Sequence, residues 1–150
     1  MKHNIIEQLN RVLRNTLDYK GVLQKLANSI SDKSTRDKLK EFAEVADKES
    51  ENLIQLIYDL GGKGSSIGQA RDQENTGWVP RPLPDPENMQ AVLACLIEAE
   101  RRKEHDYNLI QSHEDMKRED INRLDMHRKE AEANLRYFQS AKASLEHKMG

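Results

Sequence analysis

The chain has 150 residues, room for one domain and little more. Lys and Arg number 24 against 26 Asp and Glu, so the net charge is −2, with neither the basic excess of a nucleic-acid binder nor a polyacidic tail. Seven Gly, four Pro and 5% aromatics disfavour a sandwich, a barrel or a collagen-like chain, and a single cysteine, Cys95, excludes disulfide frameworks and thiolate zinc clusters.

The opening Met1-Lys2-His3-Asn4-Ile5-Ile6-Glu7 leads into no apolar stretch of signal-peptide length. No window approaches the roughly 18 apolar residues that a membrane helix needs. The expectation is a soluble, cytoplasmic protein with no membrane or nucleic-acid partner, and the lone cysteine agrees with that compartment.

Ile5, Leu9, Val12, Thr16, Tyr19, Leu23, Leu26 and Ile30 recur at alternating spacings of four and three, with Ile6, Leu13, Leu17 and Ala27 widening the stripe. This predicts a first helix over about residues 4–30, with Asn4 at its N-cap and Glu7 as the capping partner. The polar turn Ser31–Thr35 offers several caps. A second helix follows over about 35–60 on Leu39, Phe42, Ala43, Ala46, Leu53, Leu56, Ile57 and Leu60, and Gly61-Gly62 supplies its left-handed stop.

Gly61, Gly62, Gly64, Gly68, Gly77, Pro80, Pro82, Pro84 and Pro86 crowd into one segment, so a breaker-rich connector of about 61–84 joins two breaker-poor halves. A short helix near 67–76 is compatible with it, and Trp78, the only tryptophan, is expected to pin it to the core. Asp85-Pro86-Glu87 reads as a helix start, with Asp85 as cap and Pro86 in the first turn. The third helix is placed at about 86–112 on Met89, Val92, Leu93, Leu96, Ala99, Tyr107 and Ile110. The fourth is placed at about 117–148 on Ile121, Leu124, Ala131, Leu135, Phe138, Ala141 and Leu145.

The apolar register stays in phase through Ile110, Glu114, Lys117 and Ile121, so one long rod forming an extended coiled-coil adaptor is an alternative. Two successive charged seam positions favour a turn instead. Helices of about 28 residues span roughly 40 Å. A connector of about 24 residues, at roughly 3.3 Å each when extended, reaches from one end of the bundle to the other. The predicted fold is therefore all-α: a single ferritin-like four-helix bundle of two helical hairpins joined by one long crossover. Acid-before-base pairs four apart (Glu7/Arg11, Glu44/Lys48, Glu98/Arg102, Glu119/Arg123, Asp125/Lys129) account for much of the charge as a solvated surface.

Polar residues interrupt every apolar stripe near mid-helix: Thr16 and Tyr19, Glu49 and Ser50, Glu100 and Lys103, and His127, Arg128 and Asn134. In a bundle they fall in one layer. A carboxylate-bridged pair of iron or manganese ions needs a Glu on each of two helices and Glu-x-x-His on the other two. The residues three before His105, His113, His127 and His147 are Arg102, Ile110, Leu124 and Ser144, so the motif is missing. Only the reversed His127-x-x-Glu130 exists.

Three readings of the layer stand. One is a buried network in which Glu100 pairs with Lys103, Arg128 or Arg101 and is hydrogen-bonded by Tyr19 or Thr16. Another is a non-standard metal site on Glu49, Glu100 and His127. The last is outward rotation of these side chains. Gly61–Ser66 lacks both the preceding strand and the lysine spacing of a phosphate loop. Cys95 lies amid Leu93 and Leu96 and reads as packing, not as a nucleophile.

Phe42-Ala43-Glu44, Leu60-Gly61-Gly62, Ser65-Ser66, Gly77-Trp78 and Glu98-Ala99-Glu100-Arg101 give the chain a layout that resembles a bacterial family of ferritin-like four-helix bundles, DUF2383. Where that family tends to place a small residue and another acid after the arginine, this chain has Arg102 and Lys103. The resemblance implies a ferritin-like fold without an assigned activity. The function expected is a non-catalytic bundle with no bound cofactor, acting by self-association or through a protein partner in a structural or stress-related role. An apolar patch around Ile54, Ile97 or Tyr137 is expected to remain outside. The alternative is a metal-binding protein or oxidoreductase using Glu49, Glu100 and His127.

Overall fold

A computed structural model describes residues 2–63 and 77–149, with side chains for 5–63 and 77–148. Among the described residues there are four helices: α1 Lys2–Ser29, α2 Lys33–Asp59, α3 Met89–Gln111 and α4 Arg118–Met149. The fold is an all-α four-helix bundle, and its hairpins are α1 with α2 and α3 with α4.

Cross-helix contacts define the directions. Arg11 meets Asp106 and Tyr19 meets Glu100, so α1 and α3 run antiparallel. Lys20 meets Asp47 and Gly62 lies against Ile6, so α1 and α2 are antiparallel too. Helices α2 and α3 are therefore parallel, joined at mid-length by Lys103 and Glu49. A parallel pair of consecutive helices requires a connection that travels the length of the bundle, which is the ferritin-like crossover. The expected helix near 67–76 and the Ser65-Ser66 motif lie outside the described residues.

The apolar stripes form one core. Leu9, Val12, Leu39, Leu53, Ile57, Val92, Leu96, Ala99 and Phe138 are fully enclosed. Each large aliphatic or aromatic side chain there contributes roughly 1.5–3 kcal/mol of burial free energy. Phe42 sits edge-on to both Phe138 and Tyr137, at centroid distances of 5.3 and 5.7 Å. That contact locks α2 to α4 near one end of the bundle.

Helix ends follow from local chemistry. Asp32 caps α2, its carboxylate accepting from Thr35 N at 2.9 Å and Thr35 Oγ1 at 2.7 Å. At the far end Gly61 adopts φ 91°. Its N–H donates to the Tyr58 carbonyl while Gly62 N–H donates to the Ile57 carbonyl, both at 2.9 Å. That pair of hydrogen bonds is the Schellman closure, and it needs glycine at the left-handed position.

Two predicted starts move. Helix α1 begins at Lys2, so Asn4 lies within it and not at its cap. Helix α3 begins at Met89: Asn88 is the cap and accepts from Ala91 N at 3.1 Å. Asp85 instead closes a preceding turn, accepting from Glu87 N on its side chain and from Asn88 N on its carbonyl, both at 2.9 Å.

The charged seam is a turn, and residues 86–149 are not one rod. Ser112 and His113 N–H groups donate to Asn108 and Ile110 carbonyls, Met116 N–H to His113, and Met116 is tucked into the core. Helix α4 then starts with Glu119 and Asp120 in its first turn and ends with His147 and Lys148, complementing its dipole at both ends.

Candidate functional site

Because each helix buries one stripe, the polar interruptions on those stripes are carried inward together. Glu49, Glu100, Lys103 and His127 are at most 3% exposed. Tyr19 on α1, Tyr107 on α3 and Asn134 on α4 share the same layer. Lys103 Nζ donates to Glu49 Oε1 at 2.6 Å. The Tyr19 hydroxyl donates to Glu100 Oε2 at 2.5 Å, and Asn134 Nδ2 approaches the same oxygen at 3.4 Å. The remaining oxygens, Glu49 Oε2 and Glu100 Oε1, are buried with no hydrogen-bond partner.

His127 is held by two neighbours. Asn52 Nδ2 lies 3.3 Å from Nε2, and the Tyr107 hydroxyl lies 2.9 Å from Nδ1. With the amide donating to Nε2, the neutral ring carries its hydrogen on Nδ1 and donates it to the tyrosine oxygen. The Tyr107 ring also stands edge-on to the imidazole, with 5.5 Å between centroids.

The electrostatics follow from enclosure. Burial pushes the Glu100 carboxyl up to about 7, against the pull of Lys103 and the Tyr19 hydrogen bond, with Glu49 adding to the rise. Burial and the neighbouring Lys103 charge push His127 down to about 4, so its ring is neutral. Burial by itself would lower Lys103, but Glu49 and Glu100 outweigh it and hold the ammonium above its ordinary value. Tyr19 and Tyr107 are raised, chiefly by burial, and stay protonated. Burial likewise raises the Cys95 thiol, so nothing activates it as a nucleophile.

A second cluster adjoins the first. Trp78, 1% exposed, donates from Nε1 to Asp106 Oδ2 at 2.8 Å, and Arg11 occupies the other oxygen at 3.0 Å. The indole packs edge-on against Tyr19, and Lys103 Nζ lies 5.9 Å from its centroid. An open cleft of about 480 Å³ beside it is lined by Arg11, Trp78, Glu98, Arg102 and His105, among others. Glu98 and Gly77 O engage Arg102 there.

The sequence-derived candidates thus meet in part. Glu49, Glu100 and Lys103 come together, but Lys103 bonds Glu49, not the predicted Glu100. Tyr19 reaches Glu100, whereas the Thr16 hydroxyl turns back to the Val12 carbonyl at 2.8 Å. Arg128 leaves the layer for Asp125 and Glu132 on its own helix, and Arg101 faces solvent. Asn52, Tyr107 and Asp106 were not singled out for the site. Tyr107 was legible only as a polar tip on an apolar stripe, and nothing in the sequence marked Asn52. Of the expected surface patch, Ile97 is buried and Tyr137 is half-buried against Phe42, while Ile54 is 46% exposed with Tyr58 one turn on at 73%.

A di-metal centre of the kind this fold class hosts does not fit these residues. The ammonium of Lys103 already sits on Glu49, both His127 nitrogens are engaged, and among the described residues no three His, Cys, Asp or Glu side chains gather to hold a cation. Fold and interior together define a ferritin-like four-helix bundle whose central layer is closed by its own salt bridge. The chain matches no protein-family model, and no curated protein or solved structure is similar to it.

Proposed function

We propose that this protein is a non-catalytic ferritin-like bundle, of the DUF2383 kind, that works in the bacterial cytoplasm through its surface as a self-associating or stress-related interaction protein. The observation that carries the reading is the 2.6 Å Lys103–Glu49 bridge. It places a covalently fixed cation among the carboxylates, where a redox bundle needs an exchangeable one. A fixed ammonium offers neither redox change nor an open coordination position. The exposed Ile54–Tyr58 pair on α2 supports an apolar contact surface.

The test has two arms. Purified protein is incubated with iron(II) and with manganese(II), desalted and analysed for metal; no retained metal is expected, and one or more tightly held ions per chain overturns the non-metal reading. Size-exclusion light scattering then reads the mass across a concentration series. Association that is weakened in Ile54→Glu/Tyr58→Glu is expected, and a strict monomer at the highest concentration sinks the self-association reading.

A further inference from the structure

Two carboxylate oxygens at the bundle centre have no donor. Glu49 receives Lys103 on Oε1 and has nothing on Oε2; Glu100 receives Tyr19 and Asn134 on Oε2 and has nothing on Oε1. Carboxylate oxygens withdrawn from water and given no donor are among the costliest groups in a protein interior. With both glutamates ionised, two negative charges also face the single ammonium.

No nearby donor reaches either oxygen, neither the Lys103 hydrogens beyond the one on Glu49 Oε1 nor the Tyr107 hydroxyl. Thr16 donates to the Val12 carbonyl, Trp78 to Asp106 and His127 to Tyr107. A bound proton answers both shortages, since it adds a hydrogen and removes a charge without needing any space.

We propose that the bundle core is a binding site for one exchangeable proton, carried by Glu100 on Oε1, with Glu49 as the partner of Lys103. The choice of Glu100 follows from the contacts. Glu49 is bonded directly to the ammonium, whereas Glu100 is bonded only to the neutral hydroxyl of Tyr19 and amide of Asn134. The choice of Oε1 follows because Oε2 already accepts two hydrogens. Glu49 Oε2 is the acceptor left over in the same cluster.

The groups facing this site are Tyr19 from α1, Glu49 from α2, Lys103 and Tyr107 from α3, His127 and Glu130 from α4, and the Trp78 ring from the connector. Both tyrosines stay protonated, Lys103 stays charged and His127 is neutral. The carboxyl of Glu100, raised to about 7 chiefly by burial, changes charge in the neutral range.

Release of the proton to solvent leaves an unbalanced anion in the core. The folded-state pKa lies above the ordinary 4.5, so the stabilisation is complete below about 4.5 and is lost as pH rises through about 7. The bundle is therefore tightest when the site is protonated and loosens on the alkaline side of neutrality.

The experiment uses the full chain labelled with carboxyl-¹³C glutamate and follows the side-chain carboxyl resonances of wild type and Glu100→Gln against pH. One resonance, missing in the variant, is expected to titrate near pH 7, well apart from the surface glutamates. Its titration with the bulk of the carboxyls overturns the proposal.

Urea unfolding of the same two proteins provides the second reading. The ratio of unfolding equilibrium constants, wild type over variant, is expected to rise on the order of a hundredfold between pH 5 and pH 8, and a ratio independent of pH overturns the proposal. Should Glu100→Gln not fold, Tyr19→Phe serves. Losing the donor on Oε2 is expected to move the same midpoint upward, and an unmoved midpoint counts against the site.

Discussion

Trp78 and Asp106 are bonded through the indole N–H at 2.8 Å, and that contact fastens the crossover to the C-terminal part of α3. The other oxygen of Asp106 takes Arg11 from α1, so one carboxylate ties together the connector and two helices. Asp106→Ala removes both bonds at once and leaves a buried indole N–H without an acceptor. A loss of ~2–4 kcal/mol in urea unfolding is expected, with Asp106→Asn milder because its carbonyl still accepts from Trp78. Trp78 fluorescence reports the same event, its emission shifting to the red as the indole leaves its enclosure.

The Lys103–Glu49 pair gives a sharper test of what the interior charge is worth. Lys103→Met strands a buried carboxylate and is expected to cost ~3–5 kcal/mol, whereas Glu49→Leu combined with Lys103→Met recovers much of that loss. A double-mutant cycle measures the coupling. Additive single effects refute the direct pairing.

His127 opposes Glu100 in its pH behaviour. Its folded value, about 4, lies below the ordinary 6.5, so its contribution is present above pH 6.5 and is lost as pH falls through about 4. His127→Gln is expected to lie closer to wild type in denaturation midpoint at pH 4.5 than at pH 7. A constant gap between the two proteins refutes the neutral, buried ring.

Gly21 and Gly62 are expected to respond in opposite directions to alanine. A Cβ on Gly21 meets nothing within 4 Å in mid-helix, so Gly21→Ala is expected to add ~0.5–1 kcal/mol of stability. A Cβ on Gly62 falls 2.7 Å from Ile6 Cγ2 and 3.1 Å from Ile57 Cγ2, next to the branch points of two stiff side chains. Gly62→Ala is expected to cost ~1–3 kcal/mol. Thermal melts of the two single variants check both signs.

Among the surface pairs four residues apart, Glu98–Arg102 at 2.9 Å and Asp125–Lys129 at 3.2 Å form as the spacing suggests. Arg11 crosses to Asp106, and Arg123 reaches Asp59 on α2 and Asp120 on its own helix. A helix surface offers the near partner to every such cation. Where a neighbouring helix brings an acid within reach, the longer-range bond fixes two elements instead of one.

What the amino-acid order determined alone is the local part. Periodicity of three and four marked the four helices, Gly61-Gly62 ended the second, and the charged run after Gln111 broke the second half, because each is written into a few consecutive residues. The same periodicity carried Glu49, Glu100, Lys103 and His127 into one interior layer, since a residue on the apolar face of a helix must follow that face inward. Only the tertiary structure decided that Lys103 bonds Glu49 across 54 residues and leaves Glu100 to Tyr19 and Asn134, and that Asn52 and Tyr107 clasp His127. It also decided that Asn88, not Asp85, caps α3 and that Ile97 lies inside. Those choices depend on the rotation and sliding of one helix against another, and a turn of a few tens of degrees or a shift of one residue exchanges the partners while leaving every local pattern unchanged.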